Sequence, residues 1–155
     1  MKFLPFGLII PLLLTAAGPC IASETGVRVT DPWVREGPPS AAVLAAFMVI
    51  RNNSQQTATV ARVTSPQFKR IEMHRTEIQN GVARMIPQPN LTIPAGKELV
   101  LKPGSYHLML FDPSSPMMAG TTVELTLHMQ DGSELKIPAP VRKGMGAGGM
   151  MHHQQ

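Results

Sequence analysis

Hydrophobic and polar residues alternate over short stretches of the chain. Val123, Leu125, Leu127 and Met129 are interleaved with Thr122, Glu124, Thr126 and His128. A period of two puts the first set on a buried face and the second in water, as in a half-buried strand. Gln130-Asp131-Gly132-Ser133 then supplies turn residues, and Glu134 to Pro138 returns as the partner strand. Ala41 to Ile50 is apolar at nearly every position, as expected of a central strand covered on both sides. Sustained helical periodicity is absent, and Pro, Gly and Asn punctuate the alternating segments. The pattern predicts an antiparallel β-sandwich or barrel in one domain, with no internal repeat.

One hairpin can be placed to the residue. Asn80-Gly81 favours a two-residue type I′ turn, because both positions require positive φ. If these two residues are the whole loop, Gln79 opposes Val82, Thr76 opposes Met85 and His74 opposes Pro87. His74 and Met85 then share a face as diagonal neighbours, about 7–8 Å apart at Cα. Met73 points the other way with Ile71, toward the core. His107 and Met109, two apart on another predicted strand, also share a face, while Tyr106, Leu108 and Leu110 take the opposite, inward one.

Those four residues are the candidate chemistry. Ten residues separate His74 from Met85, twenty-one separate Met85 from His107, and one separates His107 from Met109. Met is 11 and His 5 of 155 residues, so the four positions coincide by chance in about one chain in 1,600. Thioether sulfur is a soft ligand and imidazole a borderline one, and together they favour copper, Cu(I) above all, over magnesium, calcium or manganese. The set is expected at the surface edge of a rigid sandwich. Substitutions there should change stability by within about 0.5 kcal/mol. Met48, Met73 and Met129 read as core filler, and His128 as a solvated residue on the polar face of its hairpin. Met117-Met118 reads as either a satellite ligand pair or an apolar surface patch. Trp33 is most simply core and Arg35 most simply surface.

The ends of the chain set the compartment. Lys2 followed by the apolar run Phe3 to Ala17 and then small residues reads as a secretion signal, with cleavage after Cys20-Ile21-Ala22 and Ser23 as the new N-terminus. Pro19 argues against Cys20 as a lipid anchor, since a small residue is wanted before it. The apolar run is also short of the roughly 20 residues needed to span a membrane. The expected organisation is therefore residues 1–22 as signal, 23–142 as a β-sandwich domain and 143–155 as a flexible Met/His-rich tail. The mature chain then has no cysteine, which excludes a disulfide, a thiol nucleophile and a thiolate-bearing blue-copper site. Met and His can hold Cu(I) in an oxidising compartment without being lost to disulfide formation. In the tail, Met145, Met150, Met151, His152 and His153 are candidate accessory copper ligands, with His able to take Cu(II). The formal net charge is +4, without the basic stripe and stacking rings of a nucleic-acid groove. No Ser-His-Asp grouping or carboxylate pair stands out, so an enzyme is not expected.

The His/Met spacing resembles that of the periplasmic copper chaperones of the PCu(A)C family, whose signature often places a Met beside the first His, here Met73. Trp33-Val34-Arg35, Asn80-Gly81-Val82, Ile93-Pro94-Ala95-Gly96 and Pro103-Gly104-Ser105-Tyr106-His107-Leu108-Met109-Leu110 resemble family segments in the family order. The likeness runs from about Val27 to Val141. Ser105, where a second Gly is usual, and the loop Phe111 to Met118 depart from it. The resemblance implies a cupredoxin-like Greek-key β-sandwich that binds copper through His74, Met85, His107 and Met109. It implies delivery to an acceptor, namely the copper centres of a cytochrome oxidase subunit or a thiol-bearing assembly factor. Two other readings remain open: a periplasmic copper buffer for resistance, and a structural β-sandwich of the envelope without metal.

Overall fold

The computed structural model describes residues 26–144. The proposed signal, the cleavage site and the tail ligands from Met145 onward lie outside the described residues. Ten strands follow one another: β1 (Val27–Arg35), β2 (Val43–Asn52), β3 (Ala58–Thr64), β4 (Phe68–Gln79), β5 (Val82–Gln88), β6 (Leu91–Ile93), β7 (Glu98–Leu101), β8 (Tyr106–Pro113), β9 (Thr122–Met129) and β10 (Glu134–Arg142). They form one ladder in the order β5-β4-β8-β7-β2-β1-β10-β9-β3-β6, with β8 also pairing β2. The ladder folds over at the parallel contact of β1 with β10, where Val34 pairs with Val141. Strands β5 to β1 make one layer and β10 to β6 the other.

The alternation read from the sequence fills the space between the layers. Val123, Leu125, Leu127 and Met129 from β9 are buried against Leu44, Ala46, Met48 and Ile50 from β2, with Met73, Leu108 and Leu110 in the same cluster. The β9–β10 hairpin pairs Glu134 with His128. In its turn Asp131 accepts hydrogen bonds from the backbone N–H and the hydroxyl of Ser133. Chiefly through that hydroxyl, they hold the Asp131 carboxyl below the ordinary carboxylate value. One buried polar residue ties the layers together. Asn52, fully buried on β2, donates to the carbonyls of Gln56 and Ile93 at 2.7 and 2.9 Å and accepts from Ser54. Every polar atom of its amide is used, which is why an amide is tolerated there.

A bulge in β1 changes which side chains face out. Val29 pairs with Ile50 and Thr30 with Val49, but Trp33 pairs with Phe47 and Val34 with Ala46, so one extra residue is accommodated between Thr30 and Trp33. Asp31 takes up the strain at φ 45°. The slip reverses the parity of the strand. Trp33 therefore leaves the core, where the sequence reading had placed it, and stacks on Phe47 across the outer face with ring centroids 4.7 Å apart. Arg35 follows it, its guanidinium 5.3 Å from the Phe47 ring centroid. Phe47 is 3% exposed although it does not belong to the inter-layer core. Together these three side chains make a small second apolar cluster on the outside of the first layer.

Candidate metal centre

The β4–β5 hairpin has the register expected from its turn. Asn80 and Gly81 lie at φ 52° and 77°, as a type I′ turn requires. Gln79 pairs with Val82, Thr76 with Met85 and His74 with Pro87. His74 and Met85 are thus diagonal neighbours on the outer face of the edge hairpin. Met73 turns inward and is buried in the core.

The partner strand brings the other two residues to the same face. β8 runs antiparallel to β4 with His107 directly opposite His74 and Met109 opposite Glu72. The two imidazole centroids are 5.9 Å apart. Met109 pairs on its other side with Ala45 of β2. All four residues therefore occupy one patch spread over β5, β4 and β8. Among the described residues no group of three or more His, Cys, Asp or Glu converges, and the two thioethers are the further soft donors on this face.

Burial departs from the surface site expected. His74 and His107 are 8% and 6% exposed, while Met85 is 59% exposed and Met109 intermediate. The sequence reading had no way to see the cause, which is crowding across three neighbouring strands. The patch thus combines two buried imidazoles with one exposed thioether on the edge strand.

Hydrogen bonding determines which ring nitrogens are available. Nε2 of His74 lies 2.8 Å from Oε2 of Glu72. Nδ1 of His107 lies 2.9 Å from the backbone oxygen of Ser105. A carboxylate and a carbonyl only accept, so in each pair the ring nitrogen carries the proton. In the neutral rings the remaining nitrogens, Nδ1 of His74 and Nε2 of His107, hold the lone pairs. Both are buried and have no hydrogen-bond partner. Buried acceptors without a partner are costly and rare. A neutral imidazole anchored through one N–H with the other nitrogen free is the arrangement metal-ligating histidines adopt.

The other histidine and methionines divide differently from expectation. His128 lies on the polar face of its hairpin, but it is held rather than free, with Nδ1 2.8 Å from Oε1 of Glu134 and Nε2 2.8 Å from the Thr64 hydroxyl. Met117 is buried in the inter-layer core, whereas Met118 is 45% exposed. Met117 is buried away from the surface, and both ring nitrogens of His128 are engaged. Glu72, the anchor of His74, was missed in the sequence. The available signal was its position two residues before His74, which puts the two on one face of a strand.

A cupredoxin-like β-sandwich carrying an imidazole–thioether patch on its outer face is the class that this fold and site define. Over residues 27–141 the chain matches the family described as "Putative lipoprotein LpqE-like". Protein Lxx21020 of Leifsonia xyli subsp. xyli, also described as a lipoprotein, is 34% identical over 123 residues, which are 79% of this chain and 73% of that protein. The solution structure of Cu(I)-DR1885 from Deinococcus radiodurans aligns with a TM-score of 0.61 at 33% identity, over 78% of this chain and 79% of that one. The copper-bound PCuAC domain from PmoF2 aligns with a TM-score of 0.65 at 20% identity, over 76% and 93%, a likeness of fold alone. The chain belongs to the LpqE-like family of PCu(A)C domains.

Proposed function

We propose that this protein is a copper chaperone of the periplasm that binds Cu(I) and passes it on by ligand exchange. The observation behind this reading is the pair of buried, unpartnered nitrogens, His74 Nδ1 and His107 Nε2, on a face shared with Met85 and Met109. All four donors are neutral when they ligate, and two are thioethers, a set suited to a soft monovalent cation. The 33% identical relative DR1885 was solved in a Cu(I) form, which supports the same cargo here. The lipoprotein descriptions of the family and of Lxx21020 accord with an exported chain.

The burial gradient supplies a route for transfer. Met85 is the most exposed of the four and sits on edge strand β5. An incoming soft donor can displace it first, without opening the core. Met109, half-buried, comes next. The two imidazoles stay anchored by Glu72 and the Ser105 carbonyl and release last. The acceptor we propose is a protein with thiolate or thioether ligands, either a cytochrome oxidase copper subunit or an assembly factor that serves it.

Anaerobic titration of the purified protein with Cu(I), against a chromophoric Cu(I) chelator, tests the cargo. One equivalent should bind tightly to the wild type, and the double variant His107→Ala/Met109→Ala should lose it. Equal affinity in the two proteins would sink the assignment. Transfer is tested by mixing the loaded protein with a copper-free oxidase domain and following the copper. A chaperone releases its equivalent to that domain, whereas a buffer retains it.

A further inference from the structure

Arg70, Glu72 and His74 lie in one column on the outer face of β4, directly opposite Phe111, Met109 and His107 of β8. The first column is linked throughout. Nη1 of Arg70 is 3.3 Å from Oε1 of Glu72, and the other carboxylate oxygen is 2.8 Å from Nε2 of His74. The Arg70 guanidinium is itself seated 4.2 Å from the centroid of the Phe111 ring. An aromatic ring thus holds the guanidinium, the guanidinium holds the carboxylate, and the carboxylate holds the imidazole. The second histidine is anchored differently, by the Ser105 main-chain carbonyl, which no side-chain substitution removes.

We infer that Glu72 is a positioning residue of the copper site: it keeps the proton on Nε2 of His74 and presents Nδ1 to the metal. The inference rests on the Cu(I) reading given above. An imidazole left to itself prefers neither nitrogen strongly and turns about its side-chain torsions. Here the Nε2–H donated to a carboxylate leaves Nδ1 of the neutral ring as the lone-pair donor. Nδ1 is the His74 atom that is buried without a partner. Glu72 also adds one negative charge beside four neutral ligands, favouring a bound cation. Its side chain is 34% exposed, so replacing it leaves the core untouched.

Two variants and two readouts separate this role from the others a carboxylate could have. Glu72→Ala removes the acceptor. Glu72→Gln keeps an acceptor oxygen for Nε2–H but lacks the charge and the ligating strength of a carboxylate. Cu(I) affinity should fall on the order of 10–100-fold in Glu72→Ala, the scale of losing a second-layer partner, and be largely restored in Glu72→Gln. Affinity in Glu72→Ala equal to that of the wild type would reduce Glu72 to a surface ion pair and overturn the proposal. Equal losses in both variants would make it a direct ligand and overturn it too. Long-range proton–nitrogen NMR on the metal-free proteins reads the tautomers without copper. Wild-type His74 should be the Nε2–H form, and Glu72→Ala should lose that preference. His107 should stay Nδ1–H in every variant and serve as an internal control. An unchanged His74 tautomer in Glu72→Ala would refute the role. If the wild type took up no Cu(I), the copper reading would fail, and the NMR comparison would still decide what Glu72 does.

Discussion

Met85 and His107 occupy opposite extremes of burial within one patch, so their removal should have opposite profiles. Met85 is 59% exposed at a sheet edge, where a substitution shifts stability by only about 0.5 kcal/mol or less. Met85→Ala should weaken Cu(I) binding while leaving chemical denaturation unchanged. His107 is buried and its Nδ1–H satisfies the Ser105 carbonyl. His107→Ala removes a hydrogen bond and a buried side chain, leaving that carbonyl to the Thr76 N–H at 3.1 Å, and should cost roughly 1–3 kcal/mol of stability as well as the proposed ligand. Urea unfolding of the two metal-free variants measures the difference. Identical stabilities would mean that the histidine anchor is dispensable. The donor types and their shared faces were legible in the sequence, because strand alternation needs only neighbouring residues. The burial of the imidazoles was not, since it depends on strands that are distant in the chain. The anchor of His74 lay between these cases. Glu72 was readable as a same-face neighbour, but a glutamate two residues away can point to solvent equally well.

Among the elements, the β4–β5 hairpin has the most direct influence on the site. Asn80-Gly81 determines its register, and Gly81, at φ 77°, has open space where a Cβ would go. Gly81→Ala would therefore meet no clash and would suffer only the left-handed backbone penalty, roughly 1–2 kcal/mol. A register change acts differently. Inserting one residue between Val82 and Met85 would turn Met85 to the opposite face of β5. That insertion should lower Cu(I) affinity to the level of Met85→Ala and no further, because His74, His107 and Met109 keep their places. A larger loss would show that the hairpin does more than present Met85. This register was readable because a two-residue turn leaves no slack. The β1 bulge was not. Nothing in Thr30-Asp31-Pro32-Trp33 says on its own that an extra residue is absorbed there, so Trp33 was assigned to the core and instead packs on Phe47 outside it.

For the whole molecule, the contribution of the proposed tail is tested by truncation. A Cβ built on Gly144 would come within 3.1 Å of Nε of Arg35, and Arg35 lies over Phe47 on the outer face of the layer that carries the metal patch. The residues that follow hold Met145, Met150, Met151, His152 and His153. If these residues ligate copper, tethering to the same chain would raise their effective concentration at the patch. Truncation after Arg142 should leave thermal unfolding of the metal-free protein unchanged, because a segment with four Gly and no branched apolar side chain offers little surface to bury. The same truncation should lower Cu(II) retention, read by titration in both oxidation states. Unchanged stoichiometry and affinity in both would leave the quartet as the sole copper site.

The sequence alone determined the soft donor set, the two same-face pairs and the all-β architecture. Each follows from residue chemistry or from a period of two along a single strand. The inward turn of Met73 and the diagonal placement of His74 and Met85 belong to the same local logic. Only the tertiary structure decided that β4 lies against β8 in the register that sets His74 opposite His107. It also decided which of their nitrogens face a hydrogen-bond acceptor, and that Met117 is core while Met118 is surface. More than thirty residues separate the two histidines, and the turns between them fix local registers but not the pairing of distant strands. That pairing is chosen by the inter-layer core as a whole, through packing that no single segment encodes.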